Sequence, residues 1–444
     1  MDRRDKITRR DFCRQMLSGG LVAGALLRGA AIEASQSSPP QPPTNLRFPG
    51  GKSLLSQSDF TYLGYYSVEG DFGGDMGWGE GFTHRYVGGQ LRFLTFGYSS
   101  VEKLLLVEVA PPANFGATVS LTNNWNDIWG GTFDETGKWV GIWWDESAQR
   151  LWTTSAIDYP DDSYISSTKT IHTRTLNSNG TVSNLKGQIG LAGVGARRIY
   201  GGAQAVPSWF QSRYGVGPYV VGWGGYASRM AQGLPVSLGP TMYSIPDPSG
   251  FSNNADIPTG QFKTIMDCSS GTRADDWYAS GAPTSFDRGV RNSDVNNDFD
   301  SPSWQSPAPD GLGRWTWGDS NYNTGCWIDG PNKHGFILVP SFSSGRAYYQ
   351  TSTLNWDYRT SEIQIYDPSR FAEVLAGSRA VWGVKPASRW TISLPGMVQT
   401  PGSGNGGLVY DVLGATYDNT TKRLYIYYLS WSTGNHIYVY SVTC

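Results

Sequence analysis

The residues with the clearest capacity for chemistry lie between positions 290 and 335. Asp294, Asn296, Asp298 and Asp300 occupy every second place in the run DVNNDFD. Oxygen side chains at alternate positions can wrap a hard cation, and calcium accepts such flexible, oxygen-rich loops. The EF-hand pattern fails twice, because Phe299 stands where Gly is required and Gln305 where Glu is required. The loop is therefore a non-EF calcium site or a solvated Asp/Asn turn.

Just downstream, the stretch from Arg314 to Gly330 sets Trp315, Trp317, Tyr322 and Trp327 beside Arg314, Asp319 and Asp329. Sugar rings offer apolar faces to Trp and Tyr, and hydroxyl edges to Asp, Asn and Arg. Trp125, Asp127 and Trp129 repeat the theme earlier in the chain. Asp127, Asp319 and Asp329 are the candidate acids, bases or nucleophiles. Trp125, Trp129, Arg314, Trp315, Trp317 and Trp327 are the candidate substrate contacts. Two such carboxylates facing across a mouth could cleave a glycosidic bond, with their separation setting the stereochemistry. The plain alternative is that these tryptophans fill the core of a large all-β protein.

Four histidines are available, His84, His172, His334 and His436. His334, in Asn332-Lys333-His334-Gly335, is the best single base or ligand, at the start of a strand. Four imidazoles converging on one axis would bind iron and make the protein a metal-dependent oxidoreductase. The chain has no phosphate-binding Walker loop, no G-x-S-x-G and no H-E-x-x-H. Around Ser306–Gly313 the spacing also misses the Asp-box of sialidases.

The elements that must position these residues read as strands. Trp144-Asp145-Glu146-Ser147-Ala148-Gln149-Arg150-Leu151-Trp152 returns as Tyr417-Asp418-Asn419-Thr420-Thr421-Lys422-Arg423-Leu424-Tyr425. Each copy is a strand, a tight polar turn and a strand. Repeated hairpins at this length predict an all-β fold, a β-propeller of about five to seven blades in a single domain over residues 51–444. Composition agrees, with 16% charged residues, 56 glycines, 18 tryptophans and 25 tyrosines, the mixture of strand and turn formers. Tyr86 to Tyr98 reads as one strand, and only 206–214 and 368–375 look helical. Phe60–Tyr66 and Ile437–Val442 are expected to share one blade, closing the ring and removing sheet edges.

Several motifs follow one another in order: the Phe60-Thr-Tyr-Leu-Gly opening, Pro207-Ser-Trp-Phe, Trp315-Thr-Trp-Gly-Asp, Trp327-Ile-Asp-Gly-Pro-Asn-Lys-His-Gly, and the closing Gly414-Ala-Thr-Tyr-Asp hairpin. In this order the chain resembles a family of secreted bacterial propeller-like proteins without a settled function. The resemblance covers most of residues 60–444. It implies the fold and carries over no catalytic residues.

Residues 1–34 are expected to be a targeting segment. Thr8-Arg9-Arg10-Asp11-Phe12 resembles the twin-arginine export motif, and the apolar run from Met16 to Leu27 is too short to span a membrane. The resemblance implies export of an already folded protein by the twin-arginine machinery, to the periplasm or beyond. Residues 35–50, with Pro39-Pro40-Gln41-Pro42-Pro43, read as an extended linker. Of the four cysteines, Cys13 would leave with the signal; Cys268 and Cys326 could pair and leave Cys444 free, or all three could be thiols. A net charge of −2 gives no field that would gather nucleic acid.

The function expected from these features is an exported carbohydrate-active propeller that hydrolyses or eliminates glycosidic bonds of a poly- or oligosaccharide. The alternatives are a non-catalytic propeller binding glycan or an exported protein, and the metal-dependent oxidoreductase. An enzyme should hold two acids, or an acid and His334, in one place with shifted pKa values; a binder should hold aromatics without such a pair.

Overall fold

A strand that meets another sheet on both faces has no polar side, so it reads as a continuous apolar run. Phe336, Ile337, Leu338 and Val339 form such a run, as do Leu424 to Leu429, and all are buried. The computed structural model describes residues 51–68, 74–75, 81–99, 104–130, 139–156, 169–199, 201–223, 240–267, 297–298, 325–350, 353–395, 397, 410–430 and 434–444. They form a five-bladed β-propeller in which these runs are the middle strands of blades.

From the inside outwards, the first blade is Phe82–Val87, Gln90–Ser99, Leu104–Ala110 and Ser120–Trp125, with Gly74–Asp75 also pairing with Gln90–Ser99. The second is Trp139–Asp145, Arg150–Ala156, Ile171–Leu176 and Val182–Leu191, edged by the parallel strand Asp256–Ile257. The third is Ala203–Ala205, Tyr219–Gly222, Thr241–Ile245 and Lys263–Asp267. In the fourth, Gly325–Asp329, Lys333–Leu338, Thr353–Tyr366 and Ser388–Thr391 follow one another. Ser341–Gln350 makes a long hairpin with Thr353–Tyr366, and Ser53–Leu54 lies parallel to Lys333–Leu338. The fifth is Tyr410–Asp418, Arg423–Ser430, Asn435–Val442 and, from the other end of the chain, Phe60–Val68.

The innermost strands of the five blades touch in succession and close into a ring: first with second, second with third, third with fourth, fourth with fifth, fifth with first. Five apolar layers fill the five gaps. Tyr66, Phe93 and Tyr427 lie between the fifth and first blades, and Leu94, Trp125 and Trp144 between the first and second. Trp152, Ile189 and Tyr243 separate the second and third, Trp223, Phe336 and Phe371 the third and fourth, and Ile337, Ile426 and Tyr438 the fourth and fifth. The aromatic richness of the sequence is thus spent largely between sheets about 10 Å apart, where large side chains are needed.

The closure expected from the sequence is present. Phe60 pairs with Val442, Tyr62 with Tyr440 and Tyr66 with Ile437 in an antiparallel ladder, with a bulge between Tyr62 and Gly64. The two short helices are also where the sequence places them, Ser208–Tyr214 and Pro368–Leu375; Asp367 caps the second by accepting from Ser369 N at 2.8 Å. One expectation is corrected. Tyr86 to Tyr98 is not one strand, because the chain turns at Gly88–Gly89, with φ of 57° and 78°, and runs back as Gln90–Ser99. Two successive residues at positive φ make the tight hairpin turn that Gly-Gly favours.

Near the axis the inner strands approach too closely for side chains. A Cβ on Gly141 would stand 2.3 Å from the backbone of Gly201 and Gly202, and one on Gly414 would stand 2.7 Å from Phe82 N. Because the obstacle at Gly141 is backbone, Gly141→Ala should cost about 3 kcal/mol or more, the upper end of overpacking penalties. Gly250→Ala, where nothing lies within 4 Å, is the control. Denaturant melts of both variants check this; equal midpoints would mean the ring tolerates widening at that seam.

Candidate functional site

Asp294, Asn296, Asp300, Arg314, Trp315, Trp317 and Asp319 lie outside the described residues, and of Asp298 only the backbone, in the short strand Asn297–Asp298, is described. Six predicted positions remain, Trp125, Asp127, Trp129, Trp327, Asp329 and His334. They fall in two places.

The first is a corner in the fourth blade. Asp329 ends an inner strand and sits directly across from His334 on the next strand. Its Oδ1 accepts from Lys52 Nζ at 2.6 Å, and its Oδ2 from the indole Nε1 of Trp209 at 2.9 Å. Trp209 comes from the helix of the third blade and is half-buried, and its ring lies parallel to His334 at 6.3 Å. Burial pulls the His334 pKa below its ordinary value, with Asp367 and Asp329 opposing and Lys52 adding to the shift. Beside the corner, Lys333 pairs with Asp59, whose other oxygen caps Ser56 N at 2.8 Å. Trp327 does not face outward with Asp329, because its ring packs against Phe210, Phe336 and Phe371. Successive residues of a strand point to opposite faces, but Trp327 and Asp329 are two apart, so both face the third blade; Trp327 is deeper in it.

The second place is the layer between the first and second blades. Trp125 is 0% exposed, its Nε1 donating to Asn177 O at 3.0 Å, and Trp129 is 2% exposed. Neither indole has a face open to a ligand. Asp127 accepts from Trp129 N at 3.0 Å and so shapes the turn that carries it. Under that turn lies Arg174, 1% exposed, donating to Ile128 O at 2.7 Å and to Thr153 Oγ1 at 2.5 Å, with its guanidinium 4.6 Å over the Trp129 ring. Burial lowers the Arg174 pKa to about 9, with Asp127 opposing.

The two cassettes that reveal the fold carry a third arrangement that the sequence reading missed. In the first, Asp145 Oδ1 accepts from Ser147 Oγ at 2.6 Å and from Ser147 N and Ala148 N, both at 3.1 Å, which ties the turn. Its Oδ2 accepts from the hydroxyl of Tyr219, in the third blade, at 3.0 Å. In the second, Asp418 accepts from Thr420 N at 2.8 Å and Thr421 Oγ1 at 2.6 Å, and its Oδ2 from the hydroxyl of Tyr86, in the first blade, at 2.7 Å. Each cassette Asp therefore holds its own turn and latches the next blade in the ring. The fifth-to-first latch adds His84, whose Nδ1 is 2.8 Å from Thr416 Oγ1 and whose Nε2 is 3.9 Å from Asp418 Oδ1. Burial lowers the His84 pKa, with Asp418 and then Glu146 opposing. Burial, followed by the bond to Asp418, raises that of Tyr86 to about 12. The signal in the sequence was the cassette Asp itself; His84 is 334 positions away from it, and only the ring closure joins them.

The four histidines do not converge. His84 meets Asp418 at the fifth-to-first seam, His172 meets Trp129 at the first-to-second, His334 meets Trp209 at the third-to-fourth, and His436 lies against Tyr65 in the fifth blade. Among the described residues no three His, Cys, Asp or Glu side chains gather as a metal site. Cys326 is a buried free thiol, 3.7 Å from Ala415 O and pushed up to about 12 by burial, and Cys444 is also a free thiol, hydrogen-bonded with the Tyr417 hydroxyl at 3.2 Å. No described helix is long and apolar enough to cross a membrane.

Asp418 titrates below the ordinary carboxylate range. Burial opposes its charge, but the Thr421 and Tyr86 hydroxyls, His84 and the Thr420 amide together outweigh it. A carboxyl lowered in the folded state contributes stability above its unfolded pKa and loses it as the pH falls towards the folded one. Asp418→Asn should therefore melt below the parent protein at neutral pH, and the gap should close as the pH drops through ~4 and below. Thermal melts across that range check this; a gap of constant size would assign the loss to geometry instead of charge.

No family model matches this chain, and no curated protein does. Among solved structures it is similar to the PQQ domain of a pyranose dehydrogenase from Coprinopsis cinerea, at 11% identity and TM-score 0.40, over 86% of this chain and 96% of that one. It is also similar to a structure from the GH130 family, described as containing glycoside hydrolases that target β-1,2 mannosidic linkages in Candida mannan, at 8% identity and TM-score 0.40, over 88% and 96%. A glycosyl hydrolase from Bacteroides ovatus matches at 9% identity and TM-score 0.39, over 88% and 96%. At these values the likenesses carry no argument about activity, and the fold rests on the strand pairing described above.

Proposed function

We propose that the protein is an exported carbohydrate-active propeller acting on a poly- or oligosaccharide. The observation that carries this reading is the corner at Asp329. A half-buried indole, a carboxylate and an amine stand side by side there, in Trp209, Asp329 and Lys52. An aromatic face beside groups that bond hydroxyl edges is the chemistry that recognises a sugar ring. Asp329 spans the indole and the amine, so it orients both and serves as an acceptor for a sugar hydroxyl.

The finer reading is cleavage of the glycosidic bond. Two places pair a carboxylate with an imidazole of lowered pKa, Asp329 with His334 and Asp418 with His84. Of the two imidazoles His84 is the more open, its side chain 19% exposed, whereas His334 is 2% exposed beneath Trp209. A proton-transfer group must reach the reacting oxygen, which favours His84. The charged groups bearing most on His84 are Asp418 and Glu146, both acidic. They would repel a uronate, so hydrolysis of an uncharged sugar is favoured over elimination. Calcium at 294–300 remains part of the proposal, as does export through the Arg9-Arg10 signal.

The test is incubation of the mature protein with a panel of polysaccharides, reading retention in glycan-containing gels and new reducing ends, with and without a chelator. Trp209→Ala should weaken retention on the order of tenfold, the loss of one aromatic stack. His84→Ala should abolish reducing-end release and leave retention intact. Retention without release from any substrate would establish the non-catalytic binder; neither signal on any glycan would end the carbohydrate reading. Replacing Arg9 and Arg10 together by Lys should hold the protein in the cytoplasm, checked by fractionation, and undiminished export would remove the twin-arginine route.

A further inference from the structure

The Asp329 corner and the His84 latch lie on one rim of the propeller. The fifth and first inner strands run in step, with Gly414 against Phe82, Thr416 against His84 and Asp418 against Tyr86. The fourth and fifth do so too. Cys326 Sγ lies 3.7 Å from Ala415 O, and further along Gly330 meets Tyr417 through Cys444. Three residues beyond Cys326 and Ala415 the two strands end, at Asp329 and at Asp418. These carboxylates therefore stand level on adjacent blades, and adjacent sheets pack about 10 Å apart.

Between them Cys444 closes the floor. A Cβ on Gly330 would stand 2.6 Å from its sulfur, and the Tyr417 hydroxyl is hydrogen-bonded with that sulfur at 3.2 Å. Cys444 and Tyr417 are each half-buried, and Asn332, Asn419 and Thr443, on the adjoining backbone, are exposed. The surface from one blade to the next is thus continuous, partly open and built of neutral amide, hydroxyl, phenol and thiol groups. Trp209 stands beyond Asp329, on the third blade, and His84 beyond Asp418, on the first. A single sugar ring cannot meet both across that separation; a run of rings can.

We propose that the Asp329 corner and His84 are the two ends of one extended binding surface, with Tyr417 and Cys444 forming the subsite between them. Its ligand is an uncharged linear oligosaccharide long enough to cover all three places. The inference rests on the carbohydrate reading and adds to it a minimum chain length and two contact residues. Each further ring that seats on the surface adds contacts without a second loss of translational freedom, so affinity grows with chain length until the surface is full.

The test is calorimetric titration of the His84→Ala protein, which should not consume its ligand, with cello-, manno-, xylo- and maltosaccharides of two, four and six units. For the sugar that binds, affinity should rise on the order of a hundredfold from disaccharide to hexasaccharide, about tenfold for each of two further contacts. Cys444 supplies a second readout that needs no further substitution. Iodoacetamide should alkylate it in the free protein, read by mass spectrometry of the peptide that contains it, whereas Cys326 is buried. Saturating hexasaccharide should protect Cys444, and saturating disaccharide should not. Protein alkylated beforehand should still bind the disaccharide and should lose the gain with length; Cys444→Ser should keep that gain after the same treatment. Equal affinity for two and six units, Cys444 inert to iodoacetamide in the free protein, or alkylation undiminished by bound hexasaccharide would overturn the extended surface and leave the sugar-binding corner standing. Binding of no saccharide at any length would remove both.

Discussion

The antiparallel ladder between Phe60–Val68 and Asn435–Val442 is the contact on which the remaining structure depends. It joins segments about as far apart as this chain allows, so its loop-closure entropy is unfavourable and must be offset by what the closure buries. What it buries is a whole blade face. Tyr66, Tyr425, Tyr427 and Val439 on the fifth blade meet Phe82 and Phe93 on the other side of the seam, and each such side chain contributes roughly 1.5–3 kcal/mol when taken from water. Further bonds secure the same region, Thr443 N to Asp59 O at 2.9 Å and the ion pair of Asp59 with Lys333. Opening the ladder would expose two unpaired sheet edges, the feature that propellers exist to avoid.

Within the closed ring, a few carboxylates do two jobs at once. Asp145 and Asp418 are each 1% exposed, and each satisfies its oxygens with turn amides and a hydroxyl on one side and a tyrosine from the neighbouring blade on the other. A buried carboxylate is tolerated only when so bonded. Local turn geometry and blade-to-blade registration are therefore coupled through single side chains. Arg150 extends this at the second-to-third seam, bonding both oxygens of Asp247 at 3.0 and 2.8 Å while lying over Trp152 and Tyr219. At the fifth-to-first seam the same latch gathers Thr416, His84 and Tyr86, so an element of architecture also sets an imidazole beside a carboxylate.

Asp329 is the third Asp at the end of an inner strand, and it is the least enclosed, with 26% of its side chain exposed. Its partners are longer and more open than those of the cassette residues, an indole and a lysine in place of turn amides and a tyrosine. That difference leaves the indole, the carboxylate and the lysine each partly exposed at one corner. The cassette Asp residues are closed by their own Ser or Thr; Asp329 is followed by Gly330 and Pro331, which offer it no side-chain donor, so it takes partners from elsewhere in the chain.

The sequence by itself determined the class of fold and several of its details. Hairpin cassettes, continuous apolar runs and turn residues report local geometry, and local geometry is written in neighbouring residues; hence the legibility of the closing strands and of the two short helices. Even the misread span of 86–98 held its signal in Gly88-Gly89. The candidate acids at Asp127 and Asp329 and the base at His334 were legible as residue types, and their partners were not. Lys52 and Trp209 reach Asp329 from 277 and 120 positions away, and Trp125 and Trp129 look equally suited to a sugar and to a core until the second blade covers them. Which side chains meet at a seam depends on the order in which blades close around an axis. That order is a property of the whole ring, set by the burial of both faces of every sheet, and no local stretch of sequence contains it.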